Sequence, residues 1–493
     1  MIVLSTNKIS FWNDISEEIR LFCGLTPVVA PMTEGADLPV GDGETTIDID
    51  VSLFDDVSGR YALAVSGTHS ARFDAAEETG DALIDKRNTK RALKSAAFHL
   101  MRSLYPSVST PWGSLTGIRP TKLFRELTLA SDAASARNAF LSTFDVSAEK
   151  TALAEEICSV QSPYISSVDV KKDIDLYIGI PFCKTRCLYC SFASEVIGKE
   201  DKLTPYLRAL HDDIAAGAEL CADTGRKVRN VYFGGGTPTV LSAEQLNRLL
   251  RCIRESYGGF GTEITVEAGR PDTITSEKLA VMREYGVERI SVNPQTMNDE
   301  TLKRIGRTHT AREIVEAYEM ARSYGFRVIN MDLIAGLPGE TPDDFEKTLA
   351  AVTALKPENL TVHSLAIKRS SRLKQYLELY PLPSSYDTER MIDMGREAAT
   401  AMGMRPYYMY RQKYMSGNLE NTGYALPGTE CVYNIDMMEE TVSIMAHGGS
   451  GISKRVFDTG NRVERIPNPK EVRVYIEKQQ TLQNSKRSLF TER

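Results

Sequence analysis

Between Asp175 and Ile367 the chain presents six short apolar, β-prone runs separated by stretches of helical periodicity, and this alternation limits the fold more than any other feature. The runs end at Pro181, Gly236, Gly269, Gln295, Gly336 and Ile367. Helical spacing fills the intervals, as in Tyr206–Leu220, Ala243–Arg254 and Ala311–Tyr324. Strands alternating with helices predict a parallel sheet with right-handed crossovers. The pattern alone leaves a partial barrel and a doubly wound sheet equally open. In parallel barrels chemistry gathers at the C-terminal ends of strands, and the unusual residues of this chain sit at or near those ends.

The first run leads into YIGIPFCKTRCLYCSF, residues 177–192, where Pro181 stops the strand. Cys183, Cys187 and Cys190 therefore lie on a loop, spaced C-x3-C-x2-C. A loop can curl three thiolates around one metal centre; an extended strand, with side chains on alternate faces, cannot. A structural zinc takes four protein ligands, and the next histidine is His211. A four-iron cluster normally takes four cysteines, so three would leave one iron open. The alternatives are a zinc knuckle or three unrelated buried thiols. The other five cysteines (Cys23, Cys158, Cys221, Cys252, Cys431) read as ordinary buried or half-buried thiols, which suits a reducing cytoplasm better than a disulfide scaffold.

Gly234-Gly235-Gly236-Thr237-Pro238 follows the second run, and backbone without Cβ lets a ligand come close to main-chain donors. Glu267, Gln295 and Asp332 lie in or at the ends of the third, fourth and fifth runs. Buried acids and amides are costly unless paired, so they predict either a polar ligand or a structural network. His363, in the sixth run, is either substrate-facing or simply hydrogen-bonded.

At 493 residues two or three domains are expected: an N-terminal α+β accessory domain over 1–165, a core over 166–370, and a C-terminal substrate-covering α/β extension over 371–493. A hairpin is expected from Thr46–Leu53 and Arg60–Val65, then a helix with a basic face over Ala82–Leu104. PWGSLTGIRPTKLF, residues 111–124, places Arg119 and Lys122 either to bind carboxylates or to dock one domain on the next. In the C-terminal part, Tyr407, Tyr408, Tyr410, Tyr414, Tyr424 and Tyr433 offer either an apolar wall with polar tips or plain core packing. Lys368, Arg369, Arg411 and Lys413 are candidate partners for substrate carboxylates. His447-Gly448-Gly449-Ser450-Gly451 is either a loop closing over a ligand or a turn. A net charge of −7 argues against wholesale nucleic-acid binding. No apolar run reaches membrane-spanning length, so neither nucleic acid nor membrane is expected as a partner.

The C-x3-C-x2-C spacing with Tyr189 before the last cysteine resembles the radical S-adenosylmethionine enzymes. The resemblance implies a [4Fe-4S] cluster on the three cysteines, S-adenosylmethionine on the open iron, a 5′-deoxyadenosyl radical and a partial (β/α)6 barrel. The ordered set YIGIPFC, YFGGGTPT, TVEAGRPDT, RISVNPQTMND, RIGRTHT and INMDLIAGLPGET is similar to the oxygen-independent coproporphyrinogen III oxidases, or dehydrogenases. TGIRPTKL and YYMYRQKYMSGNLENTGYALPG resemble the longer sub-branch called HemZ. By motif position, the resemblance implies cofactor contacts at Tyr177, Tyr189, Gly235, Gly236 and Thr237, and at Glu267, Gln295, Arg307 and Asp332. It implies oxidative decarboxylation of coproporphyrinogen III to protoporphyrinogen IX in haem biosynthesis, with electrons from a reducing donor such as flavodoxin or ferredoxin. A haem-binding chaperone and a radical enzyme acting on haem or another tetrapyrrole are the alternatives. Two departures stand out. Phe192 occupies the position where the best-established enzymes carry a further cysteine. Cys431–Asp436 stands where the related haem chaperones carry H-N-x-x-Y-W, and it lacks that histidine and the Tyr-Trp pair.

Overall fold

Six parallel strands form where the alternating runs predict them, in a computed structural model that describes all residues except 24–26, 30–45, 118, 199–200, 413–417, 459–461 and 492–493. Lys413 and Tyr414 thus lie outside the described residues. The strands are β1 (Asp173–Ile180), β2 (Lys227–Gly235), β3 (Glu263–Glu267), β4 (Arg289–Ser291), β5 (Val328–Ala335) and β6 (Asn359–Ser364). They lie side by side in chain order, each parallel to the next. β6 and β1 do not pair, so the array stays open as a partial (β/α)6 barrel.

The intervening helices follow from their caps and apolar faces. Ser242, Thr310 and Thr341 each cap a helix start reciprocally with the residue three positions on (Gln245, Glu313 and Asp344). Helix Ala243–Tyr257 buries Leu246, Leu249, Leu250 and Ile253, one face at helical spacing. Burying each such side chain stabilises the fold by about 1.5–3 kcal/mol.

Residues beyond the sixth run extend the same sheet at both edges to eleven strands. Next to β6 come β7 (Arg405–Tyr410) and β8 (Asn421–Ala425), with β8 antiparallel to β6 and β7 antiparallel to β8. Next to β1 lies β9 (Ser443–His447), parallel to it and followed by antiparallel β10 (Ile452–Val456) and β11 (Val463–Pro467). The strand that leads to the cysteines is therefore flanked on both sides.

The glycine-rich segment after β9 packs inside the molecule rather than over a ligand. A Cβ on Gly448 (φ +90°) would lie 2.3 Å from the Gly179 carbonyl oxygen, so only glycine fits there. The Tyr206 hydroxyl donates to the Gly179 carbonyl (2.6 Å) and accepts from the Gly449 amide (2.9 Å). His447 is fully buried, with Nε2 2.7 Å from the Tyr257 hydroxyl. Beside it, buried Asp213 meets Lys486 Nζ at 2.6 Å and accepts from the Tyr475 hydroxyl at 2.8 Å. Burial opposes the Asp213 charge, but Lys486 and His447 outweigh it and hold the carboxyl well below the usual range.

By chain contacts there are two compact units. One comprises Met1–Pro120, Phe124–Glu155 and Gly417–Leu419; the other comprises Thr121–Leu123, Glu156–Ser416 and Glu420–Arg493. In the first, the expected hairpin runs Ile47–Asp56 and Gly59–Ser66 within a five-stranded sheet, and the expected helix spans Ala82–Leu104. This helix and helix Trp12–Cys23 bury Phe98, Leu93, Ile15 and Ile19 against the sheet. Two of its basic residues are paired: Lys90 with Asp14 (2.5 Å) and Lys94 with buried Glu18 (2.9 Å). Among the described residues no helix is long and apolar enough to cross a membrane.

Candidate functional site

A cavity of about 690 Å3 runs along the inner face of β1–β6 and gathers most of the residues singled out by the sequence. All three clustered cysteines line it, as do Tyr177, Tyr189 and the Gly235-Gly236-Thr237 turn. Glu267, Gln295, Arg307 and Asp332 line it too, with His363 and Lys368.

The cysteine loop leaves β1 and is pinned along its length. Phe182–Cys183 pairs in parallel with Glu195–Val196, and the Leu188 amide donates to the Ile305 carbonyl (2.9 Å). The glycine turn after β2 packs directly on this loop: the Gly236 amide donates to Ile180 O and the Thr237 amide to Phe182 O, each at 2.8 Å. A Cβ on Gly236 would lie 2.4 Å from the Phe182 carbonyl oxygen. These glycines therefore allow close approach of the cysteine-bearing backbone, and two of the turn's amides are spent on it rather than offered to a ligand. Thr237 Oγ1 donates to Cys183 Sγ at 3.6 Å. Burial pushes the Cys190 thiol up to about 11; a coordinated metal ion reverses that preference, because a coordinating thiol is deprotonated outright.

Beyond the cysteines lies a polar set with unmet hydrogen-bonding capacity. Asn293 Oδ1, Gln295 Oε1 and Arg307 Nε are buried without a protein partner. An unsatisfied buried polar atom costs about 1–3 kcal/mol, so three such atoms on residues that line one cavity fit a polar ligand better than a finished structural network. Gln295, a lining residue, also holds a left-handed backbone (φ +67°), which is strained for a residue with a side chain. The Arg307 guanidinium is buried, with Nη1 donating to the Asn293 carbonyl at 2.5 Å.

The two acids are shifted in opposite directions. Burial pushes the Glu267 carboxyl up to about 7, and the nearby Asp332 charge adds to the rise. The Tyr232 hydroxyl, donating at 2.6 Å, works against it. For Asp332 burial is outweighed by His363, Asn330 and Thr361, which hold the carboxyl below its ordinary value. His363 Nε2 lies 3.8 Å from Asp332 Oδ2, and Asn330 Nδ2 donates to Oδ1 at 2.7 Å.

Tyrosines form one wall. The Tyr232 and Tyr433 rings stack at 4.6 Å with a 20° tilt, and Tyr177 stacks against both at 6.4 Å. Tyr407, Tyr408 and Tyr410 of β7 line the cavity as well, whereas Tyr424 is buried and does not line it.

Four candidate substrate contacts, Arg119, Lys122, Arg369 and Arg411, are absent from the lining. Lys122 Nζ pairs with the Glu440 carboxylate at 2.9 Å. Arg411 is buried elsewhere, and Arg119 belongs to the first compact unit. Several lining residues went unnamed in the sequence analysis: Tyr232, Thr265, Asn293, Asn330 and Thr361. Four of these stand two positions before a residue that was named (Glu267, Gln295, Asp332 and His363). Period-two alternation puts three of these pairs (Thr265/Glu267, Asn330/Asp332 and Thr361/His363) on one face of a strand, so for them the sequence does carry the signal.

The family model described as the radical SAM superfamily matches residues 177–352. The Bacillus subtilis (strain 168) oxygen-independent coproporphyrinogen-III oxidase-like protein HemZ is 39% identical over 397 residues, spanning 80% of this chain and 79% of its own. The heme chaperone HemW of the same organism is 32% identical over 265 residues, covering 52% of this chain and 65% of its own. Among solved structures, the Escherichia coli coproporphyrinogen III oxidase HemN, described as a radical SAM enzyme, superposes with a TM-score of 0.52 at 26% identity. That match covers 66% of this chain and 73% of the other.

Proposed function

The chain belongs to the HemZ- and HemN-like branch of the radical SAM superfamily, whose cofactors are a [4Fe-4S] cluster and S-adenosylmethionine, and on that premise we propose that it oxidatively decarboxylates coproporphyrinogen III. Each of two propionates would lose one hydrogen atom to the deoxyadenosyl radical, carbon dioxide, and one electron to an external acceptor, becoming a vinyl group, and the product would be protoporphyrinogen IX. One observation carries this reading: the cysteine loop, the unsatisfied polar set and the tyrosine wall share a single cavity.

When bound, the cofactor pair supplies a carbon radical able to take hydrogen from an unactivated propionate carbon, which no side-chain base can do by ordinary proton transfer. The protein's part is to hold, orient and shield. Cys183, Cys187 and Cys190 would hold the cluster. Asn293, Gln295 and Arg307 offer an amide oxygen or guanidinium N–H group without a protein partner, the complement of an amino acid's ammonium and carboxylate. Asp332, kept ionised beside His363, accepts hydroxyl or ammonium donors. Stacked tyrosines offer apolar rings with polar tips to a tetrapyrrole, and Lys368 adds a cation to the lining of the same cavity. A cavity lined this way limits water around the reacting carbon.

A second reading, haem binding without turnover, is favoured by Phe192. Its side chain lines the cavity and is 68% exposed, at the position where the oxidases are expected to carry a further cysteine. The deciding experiment is an anaerobic assay of the cluster-reconstituted protein with reductant, S-adenosylmethionine and coproporphyrinogen III. Tetrapyrrole and deoxyadenosine masses are the readout. Loss of two carbon dioxide units, abolished by Cys187→Ala, supports the decarboxylase. Unchanged coproporphyrinogen with stoichiometric haem binding overturns it in favour of the second reading.

A further inference from the structure

Arg270 follows β3 in the segment EAGRPDT and reads from sequence as a turn residue, yet its side chain is only 4% exposed and reaches the cysteine loop. Its guanidinium is used on every side. Nε and Nη2 bind the two oxygens of Asp272 at 3.0 and 3.1 Å. Nη1 donates to Thr185 Oγ1 at 2.7 Å, and the same nitrogen lies 4.0 Å from Cys187 Sγ. Thr185 lies between the first two cysteines, and its own hydroxyl donates onward to the Gly306 carbonyl at 3.0 Å. Asp272 also faces Lys184 Nζ at 3.2 Å and buried His309 Nδ1 at 3.7 Å.

We propose that Arg270 is a positioning residue for the cluster: through Thr185 it fixes the loop between the first two cysteines, and through Cys187 it raises the cluster's reduction potential, while Asp272 lowers that potential by partly neutralising Arg270. A bidentate carboxylate locks the guanidinium plane, which leaves only Nη1 to face the loop. The buried setting makes its charge count, since little water is present to screen it. Reduction adds one electron to a cluster already rich in negative thiolate charge. A nearby cation stabilises the reduced form more than the oxidised form, and hydrogen bonds to ligand sulfurs act in the same direction. The proposal rests on the bound cluster and holds whether the chain decarboxylates a porphyrinogen or carries haem.

The test is an anaerobic redox titration of the reconstituted full-length chain with dithionite. The one-electron [4Fe-4S]2+/1+ couple is followed by electron paramagnetic resonance, with iron and sulfide counted for each variant. Arg270→Gln should move the midpoint to a more negative potential, Asp272→Asn to a more positive one, and Arg270→Lys should stay near the parent. Opposite shifts from two residues of one ion pair are a signature that loosened packing alone does not produce. Shifts of the same sign, or none at full iron content, overturn the proposal. Thr185→Val removes the tether and keeps the charge. It should lose iron to a chelator faster than the parent at an unchanged midpoint, and parental retention of iron overturns the loop-fixing half.

Discussion

Removing one hydroxyl should move the pH at which the cavity gains a negative charge at Glu267. Glu267 sits at about 7 because burial favours its neutral form, and the Tyr232 hydroxyl at 2.6 Å is the main group favouring the ion. A hydrogen bond to a charged group contributes about 1.5–3 kcal/mol. One pKa unit corresponds to about 1.4 kcal/mol, so Tyr232→Phe should raise the Glu267 midpoint by roughly one to two units. S-adenosylmethionine is a sulfonium cation, and an ionised Glu267 attracts it where a neutral one does not. Binding to the reconstituted protein, measured anaerobically by calorimetry from pH 5.5 to 9, should strengthen through about 7 in the parent. In Tyr232→Phe the same rise should occur at higher pH. Glu267→Gln supplies the baseline, because titration of the ligand itself persists in that variant. If Glu267→Gln shows the parent's full pH dependence, or Tyr232→Phe moves the midpoint down, the argument from burial and hydrogen bonding is wrong.

Other outcomes follow from the same geometry. Lys486→Met should cost about 3–5 kcal/mol, because it strands the Asp213 charge inside the protein; urea unfolding at pH 7 reads this, and Asp213→Leu/Lys486→Met should recover much of the loss. The Asp213 carboxyl is depressed in the folded state, so its stabilisation is complete above the unfolded value of about 3.9 and is lost as pH falls through the folded value. In parent protein the acid limb of a stability–pH curve should therefore be steeper than in the double variant. Gly236→Ala drives a methyl into the Phe182 carbonyl and should lower iron content after reconstitution, whereas Gly198→Ala, with open space around its Cβ position, should not. Thr310→Ala removes a reciprocal helix cap and should cost about 1 kcal/mol in the same urea assay without changing iron content.

The six barrel strands were legible because each is written locally as an apolar run, and five of the six are closed by glycine, proline or a polar residue. The fourth was the hardest case: only Arg289–Ser291 forms continuous ladder, and Gln295 rejoins the sheet through an isolated bridge to Leu333. The cysteine loop was equally plain, since spacing alone puts three thiols on one turn. What stayed hidden depends on partners far away in sequence. Nothing in SIMAH announces that it pairs with β1, because a strand's neighbour is chosen by the whole fold and not by its own residues. Lys122 stood between two readings, a ligand carboxylate or a docking contact, until Glu440 appeared beside it. Arg270 was missed because a charged residue between Gly269 and Pro271 reads as a solvent-facing turn.

The flanking of β1 on both sides has a consequence for how the protein is made. Its neighbour β2 follows within about 50 residues, but β9 is synthesised about 260 residues after Ile180. At 5–20 residues per second the ribosome takes roughly 13–50 s to cover that distance. Through that interval the three thiols have left the ribosome while the strand behind them still has an open edge, and the loop that will press on Gly179 does not yet exist. A cluster delivered early would meet an unfinished cradle and cysteines free to oxidise. The cradle of the cysteine loop is therefore complete only once β9 has been made, and until then Cys183, Cys187 and Cys190 follow a strand with one open edge.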